Sequence, residues 1–91
     1  MSKILHLNLY RKYFDEIVEG TKTIEYRKKT DYWKRRIEGR EYDYIQFRNG
    51  YAKVAPTMLV EYNGYKVGFN ENRYGEEYQI KLGKIIEVNY E

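Results

Sequence analysis

Hydrophobic positions change period several times along the chain, and each change marks an element. Leu5, Leu7 and Leu9 alternate with His6 and Asn8, the period-two pattern of a half-buried strand, predicted over residues 3–9. Tyr10, Tyr13/Phe14 and Ile17/Val18 then fall at i, i+3/4 and i+7/8, the apolar stripe of a helix of two to three turns over residues 10–19. Gly20 suits the left-handed position that ends such a helix. Alternation resumes over residues 22–28, where Ile24 and Tyr26 share one face and Thr23, Glu25 and Arg27 the other. Thr30 or Asp31 can cap a second, short helix running through Tyr32 to Ile37, and Gly39 can end it.

Beyond this point the pattern is that of strands. Residues 41–48 read as a strand with Tyr42 and Tyr44 on one side and Ile45 and Phe47 on the other, followed by an Asn49-Gly50 turn signal. Pro56 opens a strand over residues 57–62, where the start of a strand tolerates the missing donor. A second Asn-Gly, at residues 63–64, is expected to return the chain through residues 65–69. Residues 70–75 form a polar loop. Residues 78–90 read as one long strand or two short ones, broken or bulged at Gly83. One strand, a helix, a strand, a short helix and four or five further strands predict an α+β fold built as a small barrel or rolled sheet. No internal repeat or linker divides the 91 residues, so one domain over residues 1–91, with one modest core, is expected.

Composition narrows the chemistry. There is no cysteine, which excludes disulfides and thiolate metal sites, and the single histidine excludes a multi-histidine site; neither a metal nor a cofactor is expected. His6 lies on the polar side of its strand and reads as a surface or barrel-lining residue. No apolar run approaches the roughly 20 residues of a membrane span, and the N-terminus lacks a signal-peptide core. A cytoplasmic protein without a membrane partner is the simplest expectation. The net charge of +3 is unevenly spread: residues 1–40 hold eleven Lys/Arg against six Asp/Glu, and residues 41–91 six against eight. The positive field therefore belongs to the N-terminal half, for which polyanions are natural partners. Twelve tyrosines fit a thin, β-rich core whose hydroxyls stay wet, with a few rings left over for stacking.

The densest chemistry lies in Gly20-Thr21-Lys22-Thr23-Ile24-Glu25-Tyr26-Arg27. Lys22 precedes strict alternation, so its long stem can reach the Glu25/Arg27 face. An ammonium, a carboxylate and a guanidinium would then meet at one spot. From Lys22 to Arg36 there are seven basic residues and two acidic ones, with Trp33 among them. Basic residues interleaved with aromatics make a nucleic-acid surface, although a basic run is commonly just a solvated face, and Trp33 taken alone reads as a packing residue. The cluster could equally be an ion-pair ladder in which each exposed pair contributes at most about 1 kcal/mol.

Gly-x-Lys-x-x-Glu-x-Arg after a helix resembles the signature of ASCH domains, with Gly20, Lys22, Glu25 and Arg27 at its fixed positions. Tyr13-Phe14 and Ile17-Val18 before the glycine also resemble the family, as does Asn72-Arg73-Tyr74-Gly75 ahead of the closing strand at residues 78–83. The resemblance extends over most of the chain. It implies a small PUA-like β-barrel of about five to six strands with one to two short helices, and an RNA or nucleotide partner in the cleft beside the first helix. Lys22 would be a point charge and Arg27 a two-pronged donor toward phosphate or base. Glu25 would accept from an exocyclic amine or a ribose hydroxyl, and Tyr26, or a tyrosine of the 42–51 hairpin, would stack. Lys28, Lys29, Arg35 and Arg36 would supply salt-sensitive attraction.

Other readings stay open. Some ASCH relatives are implied to be hydrolases acting on RNA or on a modified nucleoside, through the motif lysine, a strand threonine and a separate glutamate. Lys22 matches the lysine, which would make Lys22 and Glu25 the catalytic candidates if the chain were an enzyme. However, Glu25 stands where those relatives carry threonine, and no helical insert with a further glutamate lies between Arg48 and Tyr78. A carboxylate beside Lys22 also opposes the proton loss that a lysine nucleophile needs. A tyrosine-rich protein-interaction module is a third reading.

Overall fold

The protein, seen in a computed structural model, is described over residues 2–50 and 54–90; Tyr51 of the 42–51 hairpin lies outside them. The elements are β1 (Ile4–Leu9), α1 (Arg11–Glu19), β2 (Ile24–Lys28), α2 (Asp31–Ile37), β3 (Tyr44–Asn49), β4 (Thr57–Asn70) and β5 (Gly75–Asn89). The helices fall where periodicity and caps put them. Phe14 and Ile17 are the buried residues of α1, and Gly20 ends it in the left-handed region at φ 84°. The Thr30 hydroxyl caps α2 by accepting from the Trp33 N–H at 3.3 Å. No helix among the described residues is long and apolar enough to cross a membrane.

The five strands form one mixed sheet in the order β1-β3-β4-β5-β2, with β1 parallel to β3 and the remaining pairs antiparallel. Alternation decides its inner face. Leu5 and Leu7 stand beside Ile45 and Phe47, which stand beside Val60 and Met58, and all of these side chains are buried. Tyr78 and Ile80 continue the face on β5. Phe14 and Ile17 of α1 and Ile37 of α2 complete the same core cluster. Each such side chain contributes roughly 1.5–3 kcal/mol by burial.

Two expectations change. The second Asn-Gly does not reverse the chain. Tyr62 pairs with Leu82 and Tyr65 with Ile80, so Asn63 and Gly64 together oppose the single residue Lys81. They form a bulge inside β4, with Gly64 at φ 87°. The ladder shifts register again between Leu59 and Val60 and between Val60 and Tyr62. Three irregularities in one ladder bend and twist it; the four or five strands expected after α2 are three, two of them long.

The barrel is also incomplete. β1 and β2 are the outermost strands, and among the described residues no ladder joins them. Outer strands of a flat five-stranded sheet stand roughly 19 Å apart at the usual strand spacing. Here the Arg27 Nη2 of β2 donates to the Asn8 carbonyl of β1 at 2.7 Å. The sheet is therefore rolled until its edges meet through a side chain rather than through backbone pairing.

Gly83 lies at a crowded part of this bend. A Cβ there would fall 2.7 Å from Asn63 Nδ2 and 2.9 Å from the Glu61 Cβ. Gly83→Ala should destabilise the fold by about 1–3 kcal/mol. Thermal unfolding followed by circular dichroism checks this, at about 4–8 °C of Tm per kcal/mol for a domain of this size.

On the outer face of β5 a carboxylate is buried completely. Glu77 is 0% exposed and receives both prongs of Arg73, Nε at 2.9 Å and Nη2 at 2.8 Å, with Gln79 Nε2 at 3.0 Å. Gln79 can lie there because Gly68 faces it; a Cβ on Gly68 would sit 2.4 Å from its amide nitrogen. The Arg73 hydrogen bond holds the Glu77 carboxyl below its ordinary value of 4.5, against the opposing effect of burial and with help from Gln79. A carboxyl lowered by folding contributes stability that is complete above the unfolded value and lost as pH falls through the folded one. Acid unfolding should therefore steepen below about pH 4.5 in the parent protein, and Glu77→Gln should flatten that limb. Parallel acid titrations by circular dichroism test this, and equal slopes would contradict it.

Candidate ligand cleft at the helix-to-strand junction

The turn after α1 fixes where the motif begins. The backbone N–H groups of Gly20, Thr21 and Lys22 donate to the last free carbonyls of α1, Glu16 and Ile17, at 3.0–3.1 Å. Lys22 leaves this turn with its ammonium 2.8 Å from the Ile24 carbonyl and 3.3 Å from Glu25 Oε1. Glu25 and Arg27 pair with Ile80 and Tyr78 across the ladder, which puts both on the core side of β2. Glu25 is 5% exposed. Its Oε2 accepts from Arg27 Nε at 2.9 Å and from Nη2 at 2.6 Å. The expected alternation and the expected meeting of Lys22, Glu25 and Arg27 are both found.

A buried carboxylate costs several kcal/mol in lost hydration and persists only when paired. Glu25 satisfies this requirement twice, once on each oxygen. That engagement bears on its chemistry, because a general base must present a free lone pair to the proton it takes.

Rings brace the cations. The Lys22 ammonium lies 5.3 Å from the Tyr13 ring and 5.0 Å from the Tyr26 ring. Arg27 lies 5.0 Å from the ring of Trp33, and Arg73 lies 4.0 Å from that of Tyr26. Each contact lets a guanidinium or ammonium stand near an aromatic quadrupole instead of bulk water.

These groups line a cavity of about 410 Å³ that also includes Lys28 and the buried Leu9. Its more exposed lining, the rim, includes Tyr10, Tyr13 and Tyr74, with Arg73 beside them in the lining. Four cations and one carboxylate face it. Of the residues expected to bind, Lys22, Glu25, Tyr26, Arg27 and Lys28 are brought together. Lys29 instead pairs loosely with Glu76 at 3.8 Å. Arg36 turns back onto the Tyr32 ring at 3.5 Å and donates to the Tyr32 carbonyl.

Arg35 lies in a second, wider depression of about 1090 Å³, with Lys3, Glu38, Arg40 and Glu41. Trp33 and Arg35 are two positions apart on α2 and so face opposite ways; the helix separates the two hollows. The larger one mixes both signs of charge, whereas the smaller one concentrates positive charge against rings. The smaller cavity is the better candidate for an anionic, aromatic ligand.

The residues that sequence reading did not place here are Tyr10, Tyr13, Arg73 and Tyr74, together with Trp33, read as packing. Arg73-Tyr74 follows Asn72 in the segment that precedes the closing strand, and that segment was the available signal.

No curated protein and no solved structure matches the chain. A family model does: the ASCH domain model matches residues 7–49, from β1 to the last residue of β3, a segment that contains the whole Gly20–Arg27 motif.

Proposed function

We propose that the protein binds RNA or a nucleotide in the cleft after α1, with Lys22, Arg27 and Lys28 facing phosphate or base and the surrounding rings facing the nucleoside. The observation that carries this reading is the cavity itself. It falls within the roughly 300–1,000 Å³ range of small-ligand sites, and cations stand upright in it against tyrosine and tryptophan rings. The match of residues 7–49 to the ASCH domain model is consistent with RNA interaction. Arg35 and Arg36, outside the cavity, serve only the long-range, sequence-blind attraction of phosphates.

The arrangement favours binding over hydrolysis. Glu25 is paired with Arg27 on Oε2 and with Lys22 on Oε1, and Lys22 also donates to the Ile24 carbonyl, so both groups are already engaged. A protein-interaction role lacks any comparable concentration of features at one place.

Titration of short single-stranded RNA, structured RNA and duplex DNA at two salt concentrations tests the proposal. Lys22→Ala should weaken RNA binding at least about tenfold, equivalent to about 1.4 kcal/mol, while neutralising Arg35 and Arg36 should reduce the salt slope without changing RNA preference. Weak binding that is equal in parent and Lys22→Ala proteins and vanishes with salt would contradict it.

A further inference from the structure

The polar groups of the cleft are almost all donors. Its one carboxylate is already paired on both oxygens: Glu25 Oε1 with the Lys22 ammonium at 3.3 Å, and Oε2 with two nitrogens of Arg27. Among the described residues Arg27 Nη1 makes no hydrogen bond, and neither does Arg73 Nη1, because Arg73 uses Nε and Nη2 on Glu77. The Lys22 ammonium donates to the Ile24 carbonyl and is ion-paired with Glu25. A ligand group in this cavity must therefore be rich in acceptors and negative.

The rings inside the cavity are also engaged, by cations. Tyr26 has Lys22 and Arg73 against it, and Trp33 has Arg27. A base could stack on Tyr26 only by displacing one of those cations. At the rim the situation differs. Tyr10 is 81% exposed, and its ring stacks on no ring or cation among the described residues. Tyr74, 43% exposed, lines the same cavity.

The charge of the cavity separates two kinds of phosphate. Leu9 and Glu25, both under a tenth exposed, are its most buried lining. An internal phosphodiester carries one charge. A terminal phosphate monoester carries about two charges near neutral pH and presents three acceptor oxygens. A small cavity lined by the four cations Lys22, Arg27, Lys28 and Arg73 matches the second.

We propose that the cleft recognises a terminal phosphate monoester of a nucleotide or RNA strand, the phosphate seated among Lys22, Arg27 and Arg73 and the attached nucleoside stacked at the rim on Tyr10. This rests on the nucleotide- or RNA-binding reading above and narrows it to chain ends. Tyr26 and Trp33 become positioning residues that hold the cations, and Tyr10 becomes the base-stacking residue.

The test uses one short single-stranded RNA in three forms, with a 5′-phosphate, with a 3′-phosphate and with hydroxyls at both ends. Adenosine, adenosine monophosphate and inorganic phosphate serve as competitors. One phosphorylated form should bind at least tenfold tighter than the hydroxyl-ended strand, and adenosine monophosphate should compete where adenosine does not. Lys22→Gln, which leaves the Glu25–Arg27 pair in place, should erase the advantage of the phosphorylated end with an unchanged circular dichroism spectrum. Tyr10→Ala should weaken adenosine monophosphate several-fold and leave inorganic phosphate unaffected, while Tyr10→Phe should behave as the parent. Equal binding of all three strands would overturn the proposal and leave RNA binding standing. Failure to bind any strand or nucleotide would overturn both. Inorganic phosphate competing as well as adenosine monophosphate would overturn the nucleotide part.

Discussion

A carboxylate buried at the edge of a sheet demands partners, and the way Glu25 obtains them organises both the fold and the cleft. Arg27 meets that demand with two nitrogens and uses the reach of its planar fork to bond the Asn8 carbonyl as well. The Asn8 carbonyl lies on the edge of β1 that β3 does not occupy; Leu9, one residue on, turns its carbonyl to Asn49 of β3. One guanidinium thus neutralises a buried charge and clasps the two outer strands of a rolled sheet. A lysine could do one of these but lacks the rigid multi-donor geometry for both.

The cleft follows from this clasp. Because the sheet edges are joined by a side chain and not by a ladder, a gap stays open between α1, β2 and α2, and the groups that bridge it are charged. Rings from α1, β2 and α2 stand around these charges and limit where they can point. Arg73 enters from the β4–β5 turn, anchored behind by Glu77, whose burial in turn depends on Gln79 and on the missing side chain of Gly68. The cavity therefore draws on residues far apart in the chain, and its positive lining is preset before any ligand arrives.

Much of this was legible in the sequence because local rules suffice for it. The apolar stripe of α1, the glycine at its end and the alternation of β2 put Lys22, Glu25 and Arg27 at one spot without reference to anything distant. The core strands were equally plain from Leu5, Leu7, Ile45 and Phe47. What escaped depends on long-range pairing. Asn63-Gly64 has the composition of a hairpin turn, yet β5 is long enough to pair on both sides of it, and the dipeptide is absorbed as a bulge. Closure of the barrel depends on whether β1 and β2 come within backbone distance, which no local pattern encodes. Arg73 reaches the cleft from a segment about fifty residues beyond Lys22 in the chain, and the basic run from Lys28 to Arg36 divides because the turn of α2 points Trp33 and Arg35 to opposite sides.

The most direct test of the account is native-state hydrogen exchange on Arg27→Lys, a substitution that keeps the charge and removes the fork. If the Glu25–Arg27–Asn8 clasp holds the rolled sheet together, amides of β2 and the end of β1 should exchange at least tenfold faster. Amides in the β3·β4 ladder around Ile45 and Val60 should keep their parent rates. Unchanged protection of β1 and β2 in the Arg27→Lys protein would show that the sheet stays rolled without the clasp and would contradict the account.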